Sequence, residues 1–131
     1  MSWNLQKTII ERLGAFEATA EYVVTDNVKC SLPFIRYGQT FSTQIGGKES
    51  RAYSERVQLD FFTGDDAGAR TVRQMMDAVR DALSAFTPDL SPEWFCPDPP
   101  LETLAQVLTE YNEGKTIYHG ILVYQYFTQK Q

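Results

Sequence analysis

Residues 53–62 read Tyr-Ser-Glu-Arg-Val-Gln-Leu-Asp-Phe-Phe, and they are followed after Gly64-Asp65-Asp66 by a helical pattern through Leu83. Tyr53, Val57, Leu59 and Phe61 fall on one face of an extended chain, with Ser54, Arg56, Gln58 and Asp60 on the other. That period of two marks an antiparallel strand covered on one side. Val72, Met75, Met76, Val79, Leu83 and Phe86 then recur at three- and four-residue steps, with Arg70, Arg73, Asp77, Arg80 and Asp81 on the other faces. This is one apolar stripe of a helix, with Asp65 or Asp66 as its N-cap and Thr87-Pro88 as its stop. The same cap role accounts for both aspartates better than a cation site, for which no further oxygen ligands lie nearby.

The flanking segments extend the pattern in both directions. Leu5, Ile9, Leu13 and Phe16 form a second helical stripe, with Ser2 as a candidate N-cap. Gly14 weakens that helix by about 1 kcal/mol relative to alanine, which places its end between Gly14 and Glu21. Glu21-Tyr22-Val23-Val24-Thr25 reads as a brief strand stopped by Asp26-Asn27. Pro33 to Phe41 alternates as a half-buried strand, and residues 42–51, with Gly46-Gly47 among polar residues, read as a mobile hairpin tip. The Pro-rich run from Thr87 to Pro100 reads as an irregular connection around Trp94 and Phe95. Thr103–Glu110 and Thr116–Thr128 read as two last strands joined at Asn112-Glu113-Gly114.

The final strand is apolar on both sides, with Ile117, Ile121, Val123 and Phe127 on one face and Tyr118, Leu122, Tyr124 and Tyr126 on the other. Such a strand is either covered twice or meets another subunit, so Tyr118, Tyr124 and Tyr126 become candidate subunit-interface residues; Trp94 and Phe95 in the Pro-rich connection are further candidates, as aromatics anchor interfaces, with folding back over the sheet as the equal alternative. The expected architecture is α+β: an antiparallel four- to five-stranded sheet with two helices packed on one face, built as a single domain over residues 1–131.

A chain of 131 residues with 43% hydrophobic and 22% charged residues has ordinary globular usage, which excludes disorder throughout. No window reaches the ~18 apolar residues of a membrane span, and the N-terminus lacks the features of a signal peptide, so a cytoplasmic, non-membrane protein is expected. Cys30 and Cys96 cannot form a disulfide framework and are expected as packed, reduced thiols. Residues 1–80 balance ten acids with ten basic residues, whereas residues 81–131 hold seven acids against Lys115 and Lys130. An acidic surface repels phosphate backbones, which argues against sequence-specific nucleic-acid binding.

No GxSxG, P-loop or HExxH occurs, Gly46-Gly47 is not followed by a helix, and His119 inside the last strand reads as a satisfied structural side chain. Met75-Met76 reads as core packing. An enzyme is not expected, nor any cofactor, metal or catalytic residue.

The order of elements resembles the phage tail-completion family that includes the tail terminators of long-tailed bacteriophages. The resemblance spans nearly the whole chain. It is carried by Leu32-Pro33-Phe34-Ile35-Arg36-Tyr37-Gly38, Tyr53–Phe62 ahead of Gly64-Asp65, the helix Ala67–Leu83, and Thr116-Ile117-Tyr118-His119-Gly120-Ile121-Leu122. It implies a virion structural protein assembled in the bacterial host cytoplasm. There it would form a hexameric ring at the head-proximal end of the tail tube, stop tube polymerisation and dock the head connector, with DNA passing through. The implied partners are other copies of the chain, the tail tube protein and the head-completion protein.

The loop Thr43, Gln44, Ile45, Gly46, Gly47, Lys48, Glu49 and Ser50 is the candidate tube or connector contact. Glu110 and Glu113 are candidate lumen charges that would keep passing DNA from binding. The Pro-rich segment is longer and more aromatic than that family leads one to expect. The alternatives are another head-tail neck protein or a non-enzymatic interaction adaptor.

Overall fold

The computed structural model describes residues 2–25, 32–47, 49, 51–64 and 67–131. Helix α1 spans Ser2–Ala15. It buries Leu5, Ile9 and Leu13 completely, and Phe16 packs against the same core. The helix ends as expected near Gly14, where the buried Thr19 hydroxyl donates to the carbonyls of Leu13 and Phe16 and satisfies the last turn. Helix α2 spans Gly68–Leu83 and buries Val72, Met75, Met76, Ala78, Val79, Ala82 and Leu83. Ala67 occupies its N-cap without a side-chain cap bond. The expected caps Asp65 and Asp66 lie outside the described residues, as do Asp26-Asn27, Cys30, Lys48, Ser50 and the Ser2 side chain.

The strands are β1 Val23–Thr25, β2 Phe34–Ile45, β3 Ala52–Gly64, β4 Trp94–Phe95, β5 Leu101–Asn112 and β6 Lys115–Lys130. They form one six-stranded sheet in the order β1-β2-β3-β6, with β4 and β5 both pairing β6. β5 pairs β6 from Lys115 to Gln125, and β4 pairs it at Gln129 and Lys130, so the two share one edge. The α+β class holds, but two parts of the expectation are corrected. The sheet is mixed, because β1 runs parallel to β2, and it has six strands rather than four or five. A three-residue and a two-residue strand carry no readable period, and the direction in which β1 pairs is set by tertiary contact rather than by local pattern.

β2 is also longer than expected. Ser42 to Ile45 continue the ladder to Ile45 opposite Ala52, and Ser42 Oγ donates to Glu55 Oε2. Thr43, Gln44 and Ile45 are therefore strand residues, and the bend comes only at Gly46-Gly47.

Both helices cover one face of the sheet, where Ile35, Tyr37, Val57, Leu59, Phe61, Leu122, Tyr124 and Tyr126 are buried. The sheet curls into a half-barrel. Gly120 lets α2 approach β6: a Cβ there would sit 2.7 Å from Met76 Sδ, 3.1 Å from Val72 Cγ2 and 3.2 Å from Phe61 Cβ. Arg12 fastens α1 to the end of α2, donating from Nε to the Ala82 carbonyl at 3.0 Å while its guanidinium lies over the Phe16 and Phe86 rings. Among the described residues no helix is long and apolar enough to cross a membrane.

Candidate assembly surface

The sheet face turned away from the helices carries the sites of interest. Its apolar members are Phe41 and Ile45 on β2, Leu104 and Leu108 on β5, and Phe127 on β6, all more than a third exposed. Ile117, Ile121 and Val123 of β6 lie half-exposed on the same face, by the alternation of the strand. A shallow groove crosses it, lined by Phe41, Arg56, Gln58, Thr103, Leu104 and Val123. The doubly apolar character of β6 resolves accordingly: one side is sealed by the helices and the other remains open on this surface.

A polar network occupies the same face. Asp60 on β3 is 1% exposed and receives Arg36 Nη2 at 3.2 Å and Gln58 Nε2 at 3.0 Å. His119 Nε2 lies 2.7 Å from Asp60 Oδ1, and His119 Nδ1 lies 3.1 Å from Glu110 Oε2. Phe62 stacks on the His119 ring at 4.4 Å and on Phe34 at 5.0 Å, with the Arg36 guanidinium 5.1 Å above it. Four strands are thus pinned together by one carboxylate and one imidazole. Neutral imidazole has a single N–H, so both carboxylate contacts are hydrogen bonds only when the ring is protonated.

The two titrations follow from this geometry. The bond to Asp60 raises His119 above its ordinary value, burial opposes it, and the Glu110 bond adds to the rise. Burial pushes the Asp60 carboxyl up, yet the bonds from His119, Gln58 and Arg36 outweigh it and hold the group below the ordinary carboxylate range. Each nitrogen of His119 faces a carboxylate, which fits a structural histidine. Among the described residues no group of three or more His, Cys, Asp or Glu is placed to hold a metal ion.

Thr43, Gln44, Ile45, Gly46, Gly47 and Glu49 are exposed at the end of the β2–β3 hairpin, and Lys48 and Ser50 fall outside the described residues. Trp94 packs on Tyr53 with ring centres 5.6 Å apart, and Phe95 is exposed on β4. Tyr118 is half-buried against the core. Tyr124 and Tyr126 are buried under the helices, so the surface of β6 open to another chain is the opposite one.

Glu110 bonds His119, whereas Glu113 is exposed in the β5–β6 turn at φ 52° ahead of Gly114 at φ 78°. Asp60, Arg36 and Gln58 were not legible as a site, because their partners come from β2, β3, β5 and β6 and only the register brings them together. Glu55 was also missed. It is wholly buried on the helix-covered face beside Tyr126, and among the described residues its Oε1, Tyr126 OH and Thr128 Oγ1 have no hydrogen-bond partner.

Comparison with known proteins agrees with this architecture. None of the curated proteins compared matches the chain. A solved chain described as "Virion of native gene transfer agent (GTA) particle" superposes with a TM-score of 0.74 at 18% identity, covering 94% of each chain. A second solved chain superposes with a TM-score of 0.51 at 13% identity, covering 95% of this chain and 92% of its own. These likenesses establish the fold. The sequence itself matches the family described as "Tail completion protein gp17" over residues 10–129. By that match the chain belongs to the tail completion protein gp17 family and is a structural component of the bacteriophage virion tail.

Proposed function

We propose that the protein is a tail terminator: six copies close into a ring at the head-proximal end of the tail tube, stop the addition of tube subunits and present a docking surface to the head connector. The observation that carries this reading is the family match across residues 10–129. The molecule has features suited to the role. The β2–β3 turn follows Ile45 opposite Ala52 and Gln129, while the β5–β6 turn lies beyond Ile117, which sits opposite Gly64. The two turns therefore stand at opposite ends of the sheet, one available to each face of a ring. The Thr43–Ser50 segment is the contact to tube or connector, and the exposed Glu113 turn stands at the other end. Glu110 already pairs with His119, so the task of repelling DNA in a lumen falls mainly to Glu113.

The direct test is to add the purified protein to tube subunits as they polymerise. Tubes of arrested length, capped at one end, are expected; tubes that lengthen as though nothing had been added would contradict the role.

A further inference from the structure

The sheet has two open edges that differ from one another. On the side of β2 away from β3, β1 pairs only with Phe34–Arg36, and no described strand pairs with β2 beyond Arg36. On the other side of the molecule, among the described residues, β5 pairs with β6 alone and leaves twelve residues of edge. Natural edges of that length are ordinarily blunted by lysine, proline or inward charge. Leu101–Asn112 contains no basic residue and no proline, and it exposes Leu101, Leu104, Leu108 and Tyr111.

Strand direction makes these edges complementary. β2, β3, β6 and β5 alternate in direction, so β5 runs antiparallel to β2. A rotation about an axis along the strands carries one copy beside the next without reversing them. It brings the β5 edge of one copy against the β2 edge of its neighbour as an antiparallel pair. Unlike edges meeting head to tail close into a ring when the rotation allows it.

Side-chain spacing selects a register. Phe41 and Ile45 stand four residues apart on the helix-free face of β2, and Leu104 and Leu108 stand four apart on the same face of β5. Antiparallel pairing can set Phe41 opposite Leu108, Thr43 opposite Gln106 and Ile45 opposite Leu104, so that two exposed apolar pairs cover each other.

We propose that the subunit contact is this β5-to-β2 edge pairing between copies of the chain, in the register Phe41 to Leu108 and Ile45 to Leu104, which joins the sheets into one continuous barrel wall. The proposal deepens the ring reading and rests on it.

Disulfide trapping tests it. The double variant Phe41→Cys/Leu108→Cys, oxidised under mild conditions, is expected to give a covalent ladder ending at six copies on a non-reducing gel. The wild-type chain, with Cys30 and Cys96 alone, and each single variant should give none. The two single variants mixed should give linked dimers only, which keeps the test valid if the double variant folds poorly. Dimers from Leu108→Cys alone would mean like edges meet and would overturn the pairing. Hexamers by light scattering without the ladder would overturn the edge contact while leaving the ring. Absence of any assembly or linkage at any concentration would overturn both.

Discussion

At the residue scale His119 links the strands of the helix-free face. Its protonated ring joins Asp60 on β3 to Glu110 on β5, and its pKa in the folded protein is raised above the ordinary 6.5. A raised value means that its contribution is complete below the unfolded pKa and is lost as pH rises through the folded one. Asp60 acts in the opposite sense: its lowered pKa stabilises above the ordinary 3.8 and fails as pH falls through the folded value.

The melting temperature should therefore decline as pH is raised from about 6 to about 9, and His119→Asn should remove most of that slope. Melting curves across that range check this, and equal slopes in the two proteins would count against the network. Period-two reading placed Asp60 on a solvent face, and it does lie on the face without helices. It is nevertheless buried, because Arg36, Gln58 and His119 close over it. Gly38 belongs to the same arrangement: a Cβ there would come within 2.5 Å of Asp60 Oδ2. A glycine that looked like part of a family phrase in the sequence thus has a steric cause that only the fold reveals.

At the scale of elements, two positions invite measurement. Gly120 is where α2 rests on β6, and Gly120→Ala should cost about 1 to 3 kcal/mol, since Met76 can move but the Val72 and Phe61 contacts are with stiffer atoms. Urea unfolding reads this directly, and an unchanged midpoint would mean that the helix shifts freely. Glu113 holds a positive φ in the two-residue turn of the β5–β6 hairpin, a conformation that costs a side-chain-bearing residue roughly 1 kcal/mol or more and that Asn tolerates better. Glu113→Asn should therefore raise stability by about 0.5 to 1 kcal/mol in the same assay.

The long elements were legible because their apolar spacing runs over many residues: both helices, β3 and β6 appear nearly where the pattern places them. β2 was cut short because Ser42, Thr43 and Gln44 carry no alternation, although their backbones pair with β3 through Ile45. β4 hid inside a proline-rich connection, where two residues pair with the end of β6.

At the scale of the molecule, the two faces and two ends of the sheet differ in character. One face is sealed by α1 and α2, the other displays Phe41, Ile45, Leu104, Leu108 and Phe127, and the turns point to opposite ends. The apolarity of β6 on both faces was legible in the sequence. Which face was free was not, since that depends on where α2 lands. The same uncertainty misassigned Tyr124 and Tyr126, which are large aromatics of the kind found at interfaces yet fill the chain's own core. The acidic excess of residues 81–131 was legible as composition, but Glu102 pairs with Arg80 and Glu110 with His119, so part of it is compensated within the fold.

If the exposed apolar pairs drive assembly, Leu108→Lys should turn rings into monomers while leaving the circular dichroism spectrum unchanged. That would place the leucine at a contact between copies rather than in the core of one. The central claim is the ring itself, and light scattering coupled to size exclusion measures it most directly. The account predicts a single species of about 90 kDa, six copies of the 14.9 kDa chain, persisting on dilution into the low micromolar range. A 14.9 kDa monomer at every concentration, including in the presence of tube ends, would contradict it.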